Sequence, residues 1–167
     1  MLRLTGGVLI FAVSTYFGFY LASRLEKRRD FLRTMRDSLA FMRTEIVFSK
    51  NELGHIFSGL DKSPVLCGFF KTCTENMKNS GIKTAWKTAL DIAAEEANLS
   101  DEDIRILKQL GGVLGMSDVK SQTSAIDTAI SHLDAVIIRS EADCEKLCKM
   151  YRQCGVLLGV FILIIVI

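Results

Sequence analysis

A single proline, a single tryptophan and two histidines stand among 167 residues. The near absence of proline removes the strongest helix breaker. With abundant Leu, Ala, Lys, Glu and Ile, it favours helix along most of the chain. His55 and His132 have no H-x-x-x-H, D-x-H or C-x-x-C companion, so their spacing supports no metal or catalytic constellation. Both read as surface or helix-flank residues. The five cysteines are an odd number and form no C-x-x-C pair. Excess charge is also missing: 21 Lys and Arg against 19 Asp and Glu leave a net +2, too little for a field that attracts nucleic acid. The glycine-rich run Gly111-Gly112-Val113-Leu114-Gly115 lacks the preceding strand and the Lys-Ser/Thr of a phosphate loop. It reads as a helix break. No catalytic residue, cofactor-binding residue or metal ligand follows from the sequence.

Apolar residues are in surplus. They make up 49% of the chain, and the excess lies at its two ends. From Leu4 to Ser23 no side chain is charged at neutral pH, and Arg24-Leu25-Glu26-Lys27-Arg28-Arg29 follows directly. A helix of ~20 residues rising ~1.5 Å each spans ~30 Å, the thickness of bilayer hydrocarbon. Basic residues behind such a stretch favour the cytoplasmic side. Residues 1–23 are therefore expected to form an N-terminal transmembrane helix. A cleaved secretory signal is the rival reading, but the run ends without a good small-x-small site. Residues 153–167 are again uncharged. They give only ~22 Å of helix, which Tyr151 and snorkelling Lys149 and Arg152 would extend into a second transmembrane helix. Residues 24–152 would hang between the two as a cytoplasmic helical bundle, with reduced thiols.

Inside that bundle, Leu32, Met35, Leu39, Met42 and Ile46 form a heptad-like stripe on a helix uninterrupted since the anchor. Arg28, Arg29, Arg33, Arg36 and Arg43 lie mostly off the stripe, as a solvated face or a docking surface for an acidic partner. Ser49-Lys50-Asn51-Glu52 has capping-box spacing for a new helix. Ser63-Pro64 predicts another start, with Ser63 as cap and Pro64 as first helical residue, ending at Asn79-Ser80-Gly81. Trp86, Ala89, Leu90, Ala93 and Ala97 then share a face. Ser100 caps a helix with Asp101, Glu102 and Asp103 in its first turn. The last helix starts at Ser117-Asp118. Its seam alternates steps of four and three through Val119, Thr123, Ile126, Ile130, Leu133, Ile137, Ser140, Cys144, Leu147, Tyr151 and Cys154. Cys144 and Cys148 share a helical face, but only Glu145 and Cys154 are near in sequence as further ligands. They read as small core residues, as do Cys67 and Cys73. Trp86 reads as core, with an interface role as the alternative.

The segment Arg105-Ile106-Leu107-Lys108-Gln109-Leu110-Gly111-Gly112-Val113-Leu114-Gly115, followed by Asp118 and Gln122, resembles the stage III sporulation protein AB family of endospore-forming bacteria. Trp86 with Ala89-Leu90, the opening Leu2 to Ile10 and the closing Leu157-Leu158-Gly159-Val160 fit the same pattern. The resemblance covers essentially the whole chain. It implies a bundle similar to the F domain of type II secretion and type IV pilus platform proteins. It further implies a place in the complex joining mother cell and forespore, in the mother-cell membrane beside a secretion-type ATPase of the same operon and other channel subunits.

Residues and resemblance together give an expected all-α, antiparallel bundle of about six helices with a transmembrane helix at each end. The expected role is a non-enzymatic scaffold of a secretion-like channel, without cofactor, small-molecule substrate or nucleic acid, in contact with membrane lipid and an ATPase. The candidate partner-binding residues are Arg28, Arg29, Arg33, Arg36, Trp86, Gly111, Gly115 and Gln122. A membrane-anchored signalling or adaptor protein unrelated to secretion is the alternative.

Overall fold

The computed structural model describes residues 2–48, 53–115 and 118–166. They form α1 (Leu2–Phe48), α2 (Leu53–Leu60), α3 (Cys67–Ala97), α4 (Asp101–Gly111) and α5 (Val119–Val166), with no strand among the described residues. The chain divides into two compact units. Residues 30–138 form a bundle, and residues 1–29 with 139–167 form a helix pair.

In the bundle, α2 packs on α3 and α3 on α4. The α1 stripe of Leu32, Met35, Leu39, Met42 and Ile46 is buried, as are Ile126, Leu133 and Ile137 of α5. Arg36 donates to Asp134 at 3.0 Å and Arg43 to Asp127 at 2.6 Å. A step of seven residues forward on α1 thus meets a step of seven back on α5, so this pair runs antiparallel. Two turns of helix take about seven residues, which keeps both ion pairs on one side of the seam.

The expected six helices are five among the described residues. The break expected at Asn79-Ser80-Gly81 is a kink inside α3, where Gly81 takes φ 74° and ψ 164°. That region is open essentially to glycine alone. The expected start at Pro64 also moves. Ser63 receives the Cys67 N–H at 2.8 Å through its backbone carbonyl, and helix begins only at Cys67. The expected capping box at 49–52 lies outside the described residues. Ser100 does cap α4: its hydroxyl accepts from the Asp103 N–H, and Asp103 accepts from the Ser100 N–H at 2.8 Å. This reciprocal pairing satisfies two amides that the first turn would otherwise leave open.

In the helix pair, Ser14 of α1 donates to the Gly155 carbonyl of α5 at 2.9 Å. The thiol of Cys148 reaches the Ala22 carbonyl at 3.5 Å. The numbering rises on one helix as it falls on the other, so these ends are also antiparallel. Their backbones nearly touch. A Cβ on Gly18 would stand 2.5 Å from the Tyr151 carbonyl oxygen, and one on Gly155 would stand 3.0 Å from the Gly18 Cα. Only glycine on both sides permits that approach. The seam expected along α5 drifts here. Cys148 and Gly155 are buried, whereas Cys154 is exposed. Successive steps of four from Ser140 through Cys144 to Cys148 turn the inward face.

Both expected transmembrane helices are overturned, and so is the expected multi-pass placement in the mother-cell membrane with a cytoplasmic bulk. Among the described residues no helix is long and apolar enough to cross a membrane. On α1, Ser14, Gly18 and Ala22 are turned against α5. On α5 the uncharged run is short. The ends bury their small residues against each other.

Gly18→Ala and Gly155→Ala are each expected to cost about 1–3 kcal/mol by overpacking. Gly6→Ala and Gly59→Ala meet open space and should be neutral or stabilising by up to about 1 kcal/mol. Thermal melts followed by circular dichroism check the contrast. Equal effects at all four positions would contradict the close approach.

Candidate partner interface

Trp86 is the hub of an aromatic cluster. Its ring lies 4.9 Å from Phe69 in an edge-to-face contact and 6.1 Å from Phe57. Phe57 and Phe69 both also meet Phe70. The indole N–H donates to the Leu107 carbonyl at 2.8 Å, which satisfies its polar edge in the core. Trp86 is 1% exposed, so its ring has no face to offer a partner. Gly111 is tied to it directly. A Cβ there would stand 2.2 Å from the indole Cδ1, so the bareness of Gly111 makes room for the ring.

Gly115 has φ +75°, and its N–H donates to the Gln122 side-chain oxygen at 3.4 Å. These two residues join the turn after α4 to the first turns of α5. Asp118 opens α5 by accepting from both the amide and the hydroxyl of Ser121, and these hydrogen bonds hold its carboxyl below the usual range. Met116 and Ser117, also expected in this turn, lie outside the described residues.

The four candidate arginines divide. Arg28 and Arg29 belong to the helix pair, Arg33 and Arg36 to the bundle. The hydrogen bond to Asp134, then its charge, raises the Arg36 pKa. Arg29 donates to the Cys144 sulfur at 3.4 Å. The structure therefore brings together Trp86 with Gly111, and Gly115 with Gln122. It gives Arg36 to an acidic residue of its own chain.

Sequence reasoning missed the acceptors Asp127 and Asp134. Their seven-residue spacing, opposite in sign to Arg36 and Arg43, was the available signal. It also missed Glu26 beside Cys144 and Cys148, which no spacing could reveal. Cys73 is buried, and burial pushes its thiol up to about 12. His132 lines a shallow groove of about 110 Å³ between α4 and α5. That is too small for most ligand sites, which hold roughly 300–1,000 Å³.

An all-helical bundle with an antiparallel helix pair, its polar handles spent on internal packing, is the class these features define. The profile of the family described as "Stage III sporulation protein AB" matches residues 3–167. A protein named "Stage III sporulation protein AB" from Bacillus subtilis (strain 168) is 31% identical over 173 residues, covering 99% of either chain. A solved structure of "Stage III sporulation protein AB (SpoIIIAB)" is similar, with a TM-score of 0.64 and 26% identity. It covers 71% of this chain and 96% of its own. The chain belongs to the stage III sporulation protein AB family, a family of sporulation proteins.

Gly111→Ala should destabilise the fold by about 1–3 kcal/mol by forcing the indole aside. Trp86→Ala should cost about 3–5 kcal/mol. Denaturant unfolding checks both, and a neutral Gly111→Ala would remove the stated reason for that glycine. The Cys73 thiol gives a pH expectation. Folding raises its pKa from about 8.5, so the native state keeps a proton that the unfolded chain loses. This contribution is full below pH ~8.5 and is lost as pH rises towards 12. Alkaline stability should therefore fall less steeply in Cys73→Ala than in the native chain, as measured by urea unfolding across that range.

Proposed function

We propose that this protein is a non-enzymatic scaffold subunit of the sporulation secretion-like channel between mother cell and forespore. In this reading it docks a secretion-type ATPase encoded in the same operon and contacts other channel subunits. Membership of the sporulation family supports the setting.

The observation that carries the reading is the outer surface of the helix pair. Leu9, Val13 and Phe17 of α1 are exposed by 58–66%, and Leu157, Phe161 and Ile164 of α5 by 63–69%. A protein surface rarely leaves so many large apolar side chains uncovered unless a partner covers them. Each residue buried in an assembly would contribute about 1.5–3 kcal/mol in removal from water. Helices of neighbouring channel subunits are suited to such a face. The bundle supplies charge instead, and Arg33 with the turn around Gln122 are the positions proposed to meet the ATPase. Its action would be mechanical, holding the ATPase in place relative to the channel.

Two measurements test this. A photo-crosslinking residue at Phe17 or Leu157 in sporulating cells should yield adducts with other channel subunits. Pull-down of the ATPase by the full chain should succeed and weaken several-fold after Arg33→Glu. Helical content by circular dichroism should stay unchanged. Absence of adducts, or undiminished capture after reversing Arg33 and replacing Gln122, would overturn the proposal.

A further inference from the structure

Within the helix pair, three side chains distant in sequence meet. Cys144 and Cys148 lie one turn apart on α5, with sulfurs 3.1 Å from each other. Glu26 of α1 faces them, and one donor atom from each of the three falls within 4.8 Å of the others. The cysteines are 4% and 6% exposed, packed with Ala22 and Leu25. Glu26 is about one-third exposed, which opens a path from solvent. Arg29 points at the Cys144 sulfur and Arg152 at the Glu26 carboxylate, at 3.4 and 2.6 Å.

We propose that Glu26, Cys144 and Cys148 form a binding site for a zinc-type divalent transition metal. Geometry and chemistry both favour this. Two sulfurs and one oxygen make a mixed soft donor set, which suits zinc and excludes calcium and magnesium. Tetrahedral zinc binds thiolate at about 2.3 Å and carboxylate at about 2.0–2.2 Å. Two thiolates on one such ion sit about 3.8 Å apart, so the pair needs to open by well under 1 Å. Small rotations about the two Cα–Cβ bonds supply that. Water would fill the fourth position.

Two thiolates and a carboxylate outweigh a divalent ion by one negative charge, and the guanidinium groups of Arg29 and Arg152 adjoin that negative set. The Cys148 sulfur also lies 3.5 Å from the Ala22 carbonyl. Binding exchanges thiol protons for the metal. The bond formed is sulfur to metal, and the protons leave to solvent. No oxidant or reductant is involved. Such a clamp would join α1 to α5 midway along the helix pair.

The test uses the full chain, reduced and stripped of metal, titrated with Co²⁺ as a spectroscopic probe for zinc. One equivalent should produce a thiolate-to-cobalt charge-transfer band in the near ultraviolet and the visible bands of tetrahedral cobalt. Added Zn²⁺ should bleach both. Cys144→Ser and Cys148→Ser should each abolish the charge-transfer band or weaken binding at least about tenfold, and Glu26→Gln should weaken it about 10–100-fold. Cys67→Ser, Cys73→Ser and Cys154→Ser should leave the spectrum unchanged. Circular dichroism keeps unfolded variants out of the comparison. A folded, reduced native chain that gives no charge-transfer band overturns the site, as does a full band in folded Cys144→Ser/Cys148→Ser.

Discussion

The indole of Trp86 is the constraint on which the bundle depends. It touches Phe57 of α2 and Phe69 of its own α3, hydrogen-bonds the Leu107 carbonyl of α4, and lies against Gly111 at the end of α4. A rigid ring of that size fixes the spacing of three helices at once. A flexible aliphatic side chain of equal volume would let them slide. The glycine beside it and the aromatic rings around it are consequences of that choice. The turn that follows, with Gly115 bonded to Gln122, then sets where α5 begins.

The helix pair is governed by the opposite device. Its residues Ser14, Gly18 and Ala22 on α1, with Gly155 and Gly159 on α5, bring the backbones close by having almost no side chains. Contact there is made by main chain and short polar groups, and the large apolar residues are left on the outside.

Much of this was legible in the sequence. The stripe from Leu32 to Ile46 and the Ser100 cap follow from periodicity and local hydrogen-bonding chemistry, because both are short-range. The family was legible from the order of weak motifs around Gly111. The break at Gly81 was legible too, from the Asn79-Ser80-Gly81 run, although it is a kink within α3 and not a helix end. Two features were not. Apolar content at the termini was read as membrane span. It does not distinguish a lipid-facing run from one packed on another helix of the same chain, as Ser14 and Gly18 are on α5. The grouping of Glu26 with Cys144 and Cys148 depends on how α1 and α5 are registered, and no local spacing carries that information. Among the candidate partner residues, Trp86 and Gly111 drew notice for a reason internal to the core.

Gly81 carries one more implication. Nothing lies within 4 Å of where its missing side chain would be, yet its backbone sits in the mirror image of extended geometry. The obstacle to any other residue there is handedness alone, with no neighbour to make way. A D-alanine introduced by chemical synthesis would rest at ease where its L-enantiomer could not, and would stiffen the joint between the two halves of α3 without altering its direction.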